Sequence, residues 1–217
     1  VPDALPVEGG RHVLPRYSSE RMQPEVDLVL EWYWPAVAGA PVPEDVAAAW
    51  RAAWETVWPL AWHDRPVLVQ FDYHSPNLLW LPEREGLKRV GVLDFQDSLQ
   101  APAAYDVVSL IQDPRRDVLA GLEPVLVERY LAARPDVDAA AFRTAYAVLG
   151  AQRASRILGV FVRLWKRDGK PGYLRHQPRV WALLSRNLEH PALGAVKAWF
   201  DAHMPAEWRA AHWQDAA

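Results

Sequence analysis

Apolar positions along this chain follow two rhythms. Over residues 66–95 they fall in three short runs, PVLVQF (66–71), NLLWL (77–81) and RVGVLDF (89–95), rich in β-branched and aromatic residues. Each is expected to be a buried strand. Polar turns separate them. Asp72-Tyr73-His74-Ser75-Pro76-Asn77 joins the first two runs, Pro82-Glu83-Arg84-Glu85-Gly86 reads as a hairpin-type connection with glycine at positive φ, and Asp94, Gln96 and Asp97 close the third. Elsewhere the spacing is helical. Residues 23–34 place Val26, Leu30 and Tyr33 or Trp34 inward, and Pro35 is expected to stop that helix. Pro43-Glu44-Asp45 opens the next, which is expected to reach about residue 59. Trp50, Trp54, Trp58 and Trp62 recur every four residues along it, a spacing that favours packing mass over a sugar-stacking platform. After residue 103 the pattern predicts helices over 105–112, over 118–133 with Leu119, Leu122, Leu126 and Tyr130 inward, from an Asp138 N-cap to about 167 with Asp168-Gly169 as the stop, and over 179–188, 192–202 and 206–213. Residues 1–20 carry Pro and Gly without a period and are expected to be extended. The fold class expected is α+β, mostly helical, with a small β insert.

Composition changes this picture little. The 217 residues allow one large domain or two small ones, and 51% apolar with 24% charged residues is ordinary globular chemistry. A net charge of −3 gives no electrostatic footprint for nucleic acid or a membrane surface. The absence of cysteine excludes disulfides and thiolate metal sites, and it fits a reducing compartment, so the expected location is the cytoplasm. No apolar run approaches the roughly 20 residues of a membrane span, and VPDALPVEGGRH lacks the basic-then-apolar order of a signal peptide.

The candidate chemistry lies at the strand ends, where polar groups are costly unless something binds them. Transfer of a phosphoryl group to a hydroxyl needs a carboxylate to orient the hydroxyl and take its proton, and hard-oxygen ligands for Mg²⁺ on the phosphates. Asp72, then Asn77 five residues on, then Asp94 after a later strand, supply those types: Asp72 as base, Asn77 and Asp94 as metal ligands. Asp72 and Asn77 could instead merely cap a turn. His74 could be catalytic, substrate-binding, or a turn histidine bonded to backbone; Asp97 could meet substrate or a second metal, or cap the following segment. Arg153, Arg156, Arg163 and Arg167 share one helix face, which is either an anion- or sugar-facing wall, with Arg153 and Arg156 as candidate substrate ligands, or a solvated face. Tyr173, Arg175 and His176 could line an acceptor pocket.

FDYHSPNLLW followed by GVLDFQDSLQAPAAYDVVSL resembles the catalytic loop and metal-binding turn of the aminoglycoside phosphotransferase/choline kinase family. The Asp-Phe-Gln-Asp turn and RILGVFVRLWKRDGKPGYL are most similar to that family's anomeric kinases of N-acetylmuramate and N-acetylglucosamine. The resemblance implies a kinase-like fold, of which residues 1–217 would be the mostly helical C-lobe: a catalytic and metal-binding core at 66–113 and a helical substrate-binding part at 114–217. It implies transfer of the ATP γ-phosphate to a hydroxyl of a small sugar, either an amino sugar such as N-acetylmuramate or N-acetylglucosamine or an aminoglycoside. With that go ATP and Mg²⁺ as cofactors, the sugar and a nucleotide as partners, Asp72 as base, Asn77 and Asp94 as metal ligands, and Asp106 as the aspartate that buttresses the site.

Two departures stand beside it. Gln70 and Phe71 precede the candidate base, where the family usually has a His or aliphatic residue and then Gly or Arg. No Gly-rich phosphate loop and no early lysine is present, the first being Lys88. The chain starts at Val1 rather than Met, so it is read as part of a longer protein, with the nucleotide-holding N-lobe expected in cis and the start of this sequence near the interlobe hinge. The alternatives are a non-catalytic kinase-like sugar-binding module or isolated inactive C-lobe, and a metal-dependent hydrolase using Asp72, His74, Asp94 and Asp97.

Overall fold

The computed structural model describes residues 4–62, 65–116, 118, 119, 121–210 and 213. In chain order its strands and helices are β1 (Ala4–Val7), β2 (Gly10–Val13), α1 (Ser19–Leu28), α2 (Trp34–Ala38), α3 (Glu44–Glu55), β3 (Val67–Val69), β4 (Leu78–Trp80), β5 (Val90–Val92), β6 (Leu99–Ala101), α4 (Ala104–Ile111), α5 (Leu122–Ala133), α6 (Ala139–Lys166), α7 (Gln177–Leu188), α8 (Gly194–His203) and α9 (Ala206–Arg209). The fold is α+β, mostly helical with small antiparallel sheets. The chain divides into two compact units, one of residues 1–18 and 62–146, the other of 19–61 and 147–217.

In the first unit, β1 and β2 form a hairpin with Val7 opposite Gly10, turning through Glu8 and Gly9, whose φ is +86°. This corrects the expectation of a merely extended start: Pro6 does not prevent pairing in a two-stranded ribbon, where half the backbone groups need no partner. The three expected strands form as β3, β4 and β5, but a fourth, β6, was not expected and it changes the pairing. β3 runs antiparallel to β6 (Val67 opposite Ala101), and β4 runs antiparallel to β5 (Leu78 opposite Val92). Gly86, at φ +54°, sits in the connection between β4 and β5.

Burial also separates the two ribbons. Val69, Leu99 and Ala101 are buried, whereas Leu79, Trp80, Val90, Val92 and Phe95 are exposed. The expectation of uniformly buried strands therefore fails for β4 and β5; β-branched and aromatic residues favour the extended backbone whether or not their face is covered. In α5 the buried residues are Val127 and Leu131, and Leu119 lies exposed ahead of the helix, not inward as expected. The expected range for that helix also includes residue 120, which lies outside the described residues. Asp138 caps α6 as expected, its Oδ1 accepting the Ala141 N–H at 2.7 Å.

The second unit is helical. Pro35 does not stop the early helix. One π turn, Val29–Tyr33, sits between α1 and α2, with the Trp34 N–H bonded to the Val29 carbonyl. A wide turn of this kind already breaks the regular ladder, so the N–H that Pro35 lacks is not missed. Gly39, at φ +70°, ends α2. α3 ends at Glu55, earlier than expected, and Trp58 follows in a 3-10 turn, Trp58–Ala61. Trp50, Trp54 and Trp58 are nonetheless buried, with the Trp50 and Trp58 indole N–H groups donating to Asp27 and Gln23 at 2.9 and 3.1 Å. Trp50 also packs edge-on to Trp199 and Phe200 of α8. α6, whose residues 147–166 lie in this unit, passes α1 so closely that a Cβ on Gly159 would stand 2.3 Å from the Leu28 carbonyl oxygen. Gly169, at φ +64°, stops that helix, with Lys170 N–H reaching back to the Leu164 carbonyl. α9 ends at Arg209; residues 211 and 212, in the range expected to be helical, lie outside the described residues.

Candidate active site

The turn after β3 is built on strain. Phe71 adopts φ +72°, a region that side-chain-bearing residues avoid, and the Asp72 N–H closes a three-residue turn on the Gln70 carbonyl at 2.9 Å. A second such turn follows at once, His74 N–H to the Asp72 carbonyl at 3.0 Å. Asp106, in the first turn of α4, holds the start of this loop. Its Oδ2 accepts the Gln70 N–H at 2.8 Å and its Oδ1 the Phe71 N–H at 3.1 Å. A carboxylate with two acceptor oxygens suits two successive backbone donors that no strand partner could satisfy.

Asn77 ties the loop to the next turn. It sits at the end of a 3-10 turn, Ser75–Asn77, and its side-chain Nδ2 donates to the Asp72 carbonyl at 3.0 Å and to Asp94 Oδ2 at 3.3 Å. Both neighbours are acceptors, so the amide group must face them and the Asn77 Oδ1 points elsewhere, available to a ligand. The Asn77 carbonyl also receives the Leu93 N–H at 2.9 Å, locking the two segments one residue before Asp94. Asp94 is the second residue with a left-handed backbone, at φ +59°. Its Oδ1 accepts from Gln96 Nε2 at 2.7 Å while its Oδ2 faces Asn77. Strained non-glycine residues persist only where their surroundings over-determine them, and here both flank the same cluster.

Of the residues singled out from sequence, Asp72, His74, Asn77, Asp94 and Asp106 come together in the first unit. His74 is buried, with Nε2 3.4 Å from Asn77 Nδ2. Tyr73, which follows Asp72, is half-buried; burial raises its hydroxyl pKa, and the Asp106 charge raises it further. Asp97 is exposed in the turn closed by Ser98 N–H to the Phe95 carbonyl. The segment after it is strand β6, so Asp97 caps no helix. Gln96, noted in the sequence only as part of the turn, is the residue that grips Asp94.

Arg153 and Arg156 belong to the second unit. Arg153 is buried, which corrects the picture of a wholly solvated arginine face. Arg156 stands 3.8 Å from Glu25, which also accepts from Gln152 Nε2 at 2.9 Å. Arg167, by contrast, is exposed and paired with its neighbour Asp168 at 2.7 Å. In the same unit Tyr173 packs 5.4 Å from the Phe161 ring, and Arg175 Nε lies 3.3 Å from His176 Nε2.

Hard oxygens at Asn77 and Asp94 suit Mg²⁺, which takes one or two protein ligands and completes its shell with water and phosphate. Among the described residues, no group of three or more His, Cys, Asp or Glu side chains is placed to hold a metal. The Asp72, His74, Asp94 and Asp97 set needed for a metal-dependent hydrolase is therefore not assembled. Among the same residues, no helix is long and apolar enough to cross a membrane.

Residues 9–143 match the phosphotransferase enzyme family. The chain is 41% identical over 209 residues to a protein named N-acetylmuramate/N-acetylglucosamine kinase from Caulobacter vibrioides, an alignment covering 96% of the chain and 57% of that protein. Proteins of the same name from Pseudomonas aeruginosa and Pseudomonas putida are 33% and 32% identical, over 86% and 79% of the chain and 56% and 51% of their own lengths. The chain thus spans little more than half of each relative.

Proposed function

The chain belongs to the phosphotransferase enzyme family, and on that premise we propose that it forms the acceptor-activating and metal-binding part of an ATP- and Mg²⁺-dependent sugar kinase acting on N-acetylmuramate or N-acetylglucosamine. One observation carries the reading: a single side chain, Asn77, bridges the backbone of Asp72 and the carboxylate of Asp94, so a candidate base and candidate metal ligands are assembled in one hydrogen-bonded unit.

In this reading Asp72 orients the attacking sugar hydroxyl and accepts its proton as the oxygen bonds to the γ-phosphorus and ADP departs. Asn77 Oδ1 and the Asp94 carboxylate would hold Mg²⁺, which would supply charge neutralisation for the phosphate groups. Gln96 keeps the Asp94 carboxylate turned, and Asp106 keeps the Asp72 loop from relaxing. Positioning and electrostatics carry nearly all of such a reaction, which is why strained, over-determined turns suit it. The nucleotide-holding N-lobe is proposed to lie in the portion of the relatives' length that this chain does not span. Arg153 and Arg156 are proposed to meet the acceptor sugar, where a lactyl carboxylate would give a guanidinium a purpose.

The test is ATP consumption by the full-length gene product with N-acetylmuramate, N-acetylglucosamine and aminoglycosides, with and without a chelator. Turnover with an amino sugar that is lost on chelation and restored by Mg²⁺ is expected, and Asp72→Asn should cut it to a small residual rate without unfolding the protein. No turnover with any acceptor would sink the proposal.

A further inference from the structure

The Phe71 side chain is not loose beside the loop; it is one of three mutually contacting rings in a buried aromatic cluster. Phe71 stacks on Tyr105 with centroids 5.0 Å apart and planes 2° apart, and Tyr17 stands edge-on to both, at 5.5 and 5.2 Å. Tyr17 and Tyr105 are fully buried and Phe71 nearly so. Each ring is anchored by backbone from a different part of the first unit. Tyr17 N–H donates to the Gln100 carbonyl at 2.9 Å, Gln100 N–H returns to Pro15 at 2.8 Å, and β6, which contains Gln100, pairs with β3 immediately ahead of the loop. Tyr105 lies in the first turn of α4 beside Asp106, which binds the Phe71 N–H.

The backbone at Phe71 is one that glycine would adopt without strain and a β-carbon resists. A bulky residue is held there because its ring meets both a parallel face, Tyr105, and an edge-on ring, Tyr17, the two arrangements aromatic pairs prefer. The turn so fixed is the one whose next residue is Asp72, and a turn of three residues leaves no slack between the ring and the direction of the following side chain. We infer that Phe71 is a positioning residue: the Tyr17–Phe71–Tyr105 cluster holds the left-handed turn that aims the Asp72 carboxylate. This inference rests on the proposed role of Asp72 as the base.

The experiment is a double-mutant cycle between Phe71→Leu and Asp72→Asn in the full-length gene product, with ATP turnover on the amino sugar as readout and thermal melting as the check on folding. Phe71→Leu keeps apolar bulk and loses the stack. It should lower kcat by roughly ten- to a hundredfold while the acceptor KM moves less than about threefold. In the Asp72→Asn background the same change should alter the residual rate by less than about twofold, because a residue that acts through Asp72 has nothing left to aim. A folded Phe71→Leu protein with the parent's kcat overturns the inference. So does an equal loss in both backgrounds, which would mark the cluster as merely structural. Should Phe71→Leu fail to fold, Tyr17→Leu withdraws an edge contact, leaves the turn's sequence intact and is held to the same criteria. Full turnover by Asp72→Asn alone is a different failure: it removes the base assignment, and this inference falls with it.

Discussion

Asp106 offers the most direct test of how the loop is held. Its two oxygens each take one backbone donor, Gln70 N–H at 2.8 Å and Phe71 N–H at 3.1 Å. Asp106→Asn is nearly isosteric but has one acceptor oxygen, so one of these N–H groups must face an NH₂, and the other loses a charged partner. Charge-assisted hydrogen bonds contribute about 1.5–3 kcal/mol each. One lost and one weakened, at a half-buried side chain that water can partly reach, gives a destabilisation of about 2–3 kcal/mol. For a chain of this size that is a fall in melting temperature of roughly 4–12 °C. A second readout comes from Tyr73, whose hydroxyl is raised first by burial and second by the Asp106 charge. Ultraviolet titration of Asp106→Asn against Asp106→Asn/Tyr73→Phe should show the Tyr73 pKa moving down but staying above its usual value near 10.0, since burial remains. Turnover should fall as well, because the released turn is the one that carries Asp72. A variant that melts within about 1 °C of the parent, titrates identically and keeps its rate would show that the carboxylate does not hold the loop.

Three further outcomes follow from the geometry. Gln96→Ala frees Asp94 Oδ1 at an exposed site, so melting should be unchanged while the Mg²⁺ concentration for half-maximal turnover rises about 10–100-fold. Gly159→Ala puts a methyl group 2.3 Å from the Leu28 carbonyl oxygen, where backbone must move; a loss of about 3 kcal/mol or more is expected in urea unfolding, and a neutral result would disprove the close crossing. Burial holds the Tyr33 and Tyr73 hydroxyls above the ordinary tyrosine value. A raised folded-state pKa contributes nothing adverse below about 10, and stability falls as pH climbs from there through the raised values. Urea midpoints should therefore drop between pH 9 and pH 11, by less in Tyr73→Phe than in the parent, and equal drops would count against the burial of Tyr73.

Helices and the polar turns were legible because their signals are local. The Asp138 cap, the Asp168-Gly169 stop and the tryptophan spacing each depend on neighbours within a few residues. Asp72, Asn77 and Asp94 stood out for the same reason, as turn chemistry beside apolar runs. What escaped depends on distant partners. β6 reads Leu-Gln-Ala, with no β-branched residue, and is a strand because β3 and the Pro15–Tyr17 backbone both bond to it. Pro35 looked like a stop because a π turn leaves no mark in the sequence. The left-handed Phe71 runs against every local preference of phenylalanine, and only the rings of Tyr17 and Tyr105, 54 and 34 residues away along the chain, explain it. The hairpin β1–β2 leaves a local mark in Glu8-Gly9-Gly10, a turn signal that the prolines beside it obscure.

The first unit is discontinuous: Tyr17 precedes residues 19–61, which belong to the other unit, and the Asp72 loop follows them. No contiguous piece of the chain therefore contains the whole of the candidate site's support without also carrying residues 19–61 of the other unit. A fragment starting at residue 62 would keep Asp72, Asn77, Asp94 and Asp106 yet lose the edge ring against Phe71 and the backbone bonds between Pro15–Tyr17 and Gln100. During synthesis the loop emerges long after Tyr17, and the cluster can close only once α4 has also been made. A protease cut anywhere in the intervening segment would leave the aromatic cluster's pieces on separate chains, held by packing and the backbone bonds between Pro15–Tyr17 and Gln100.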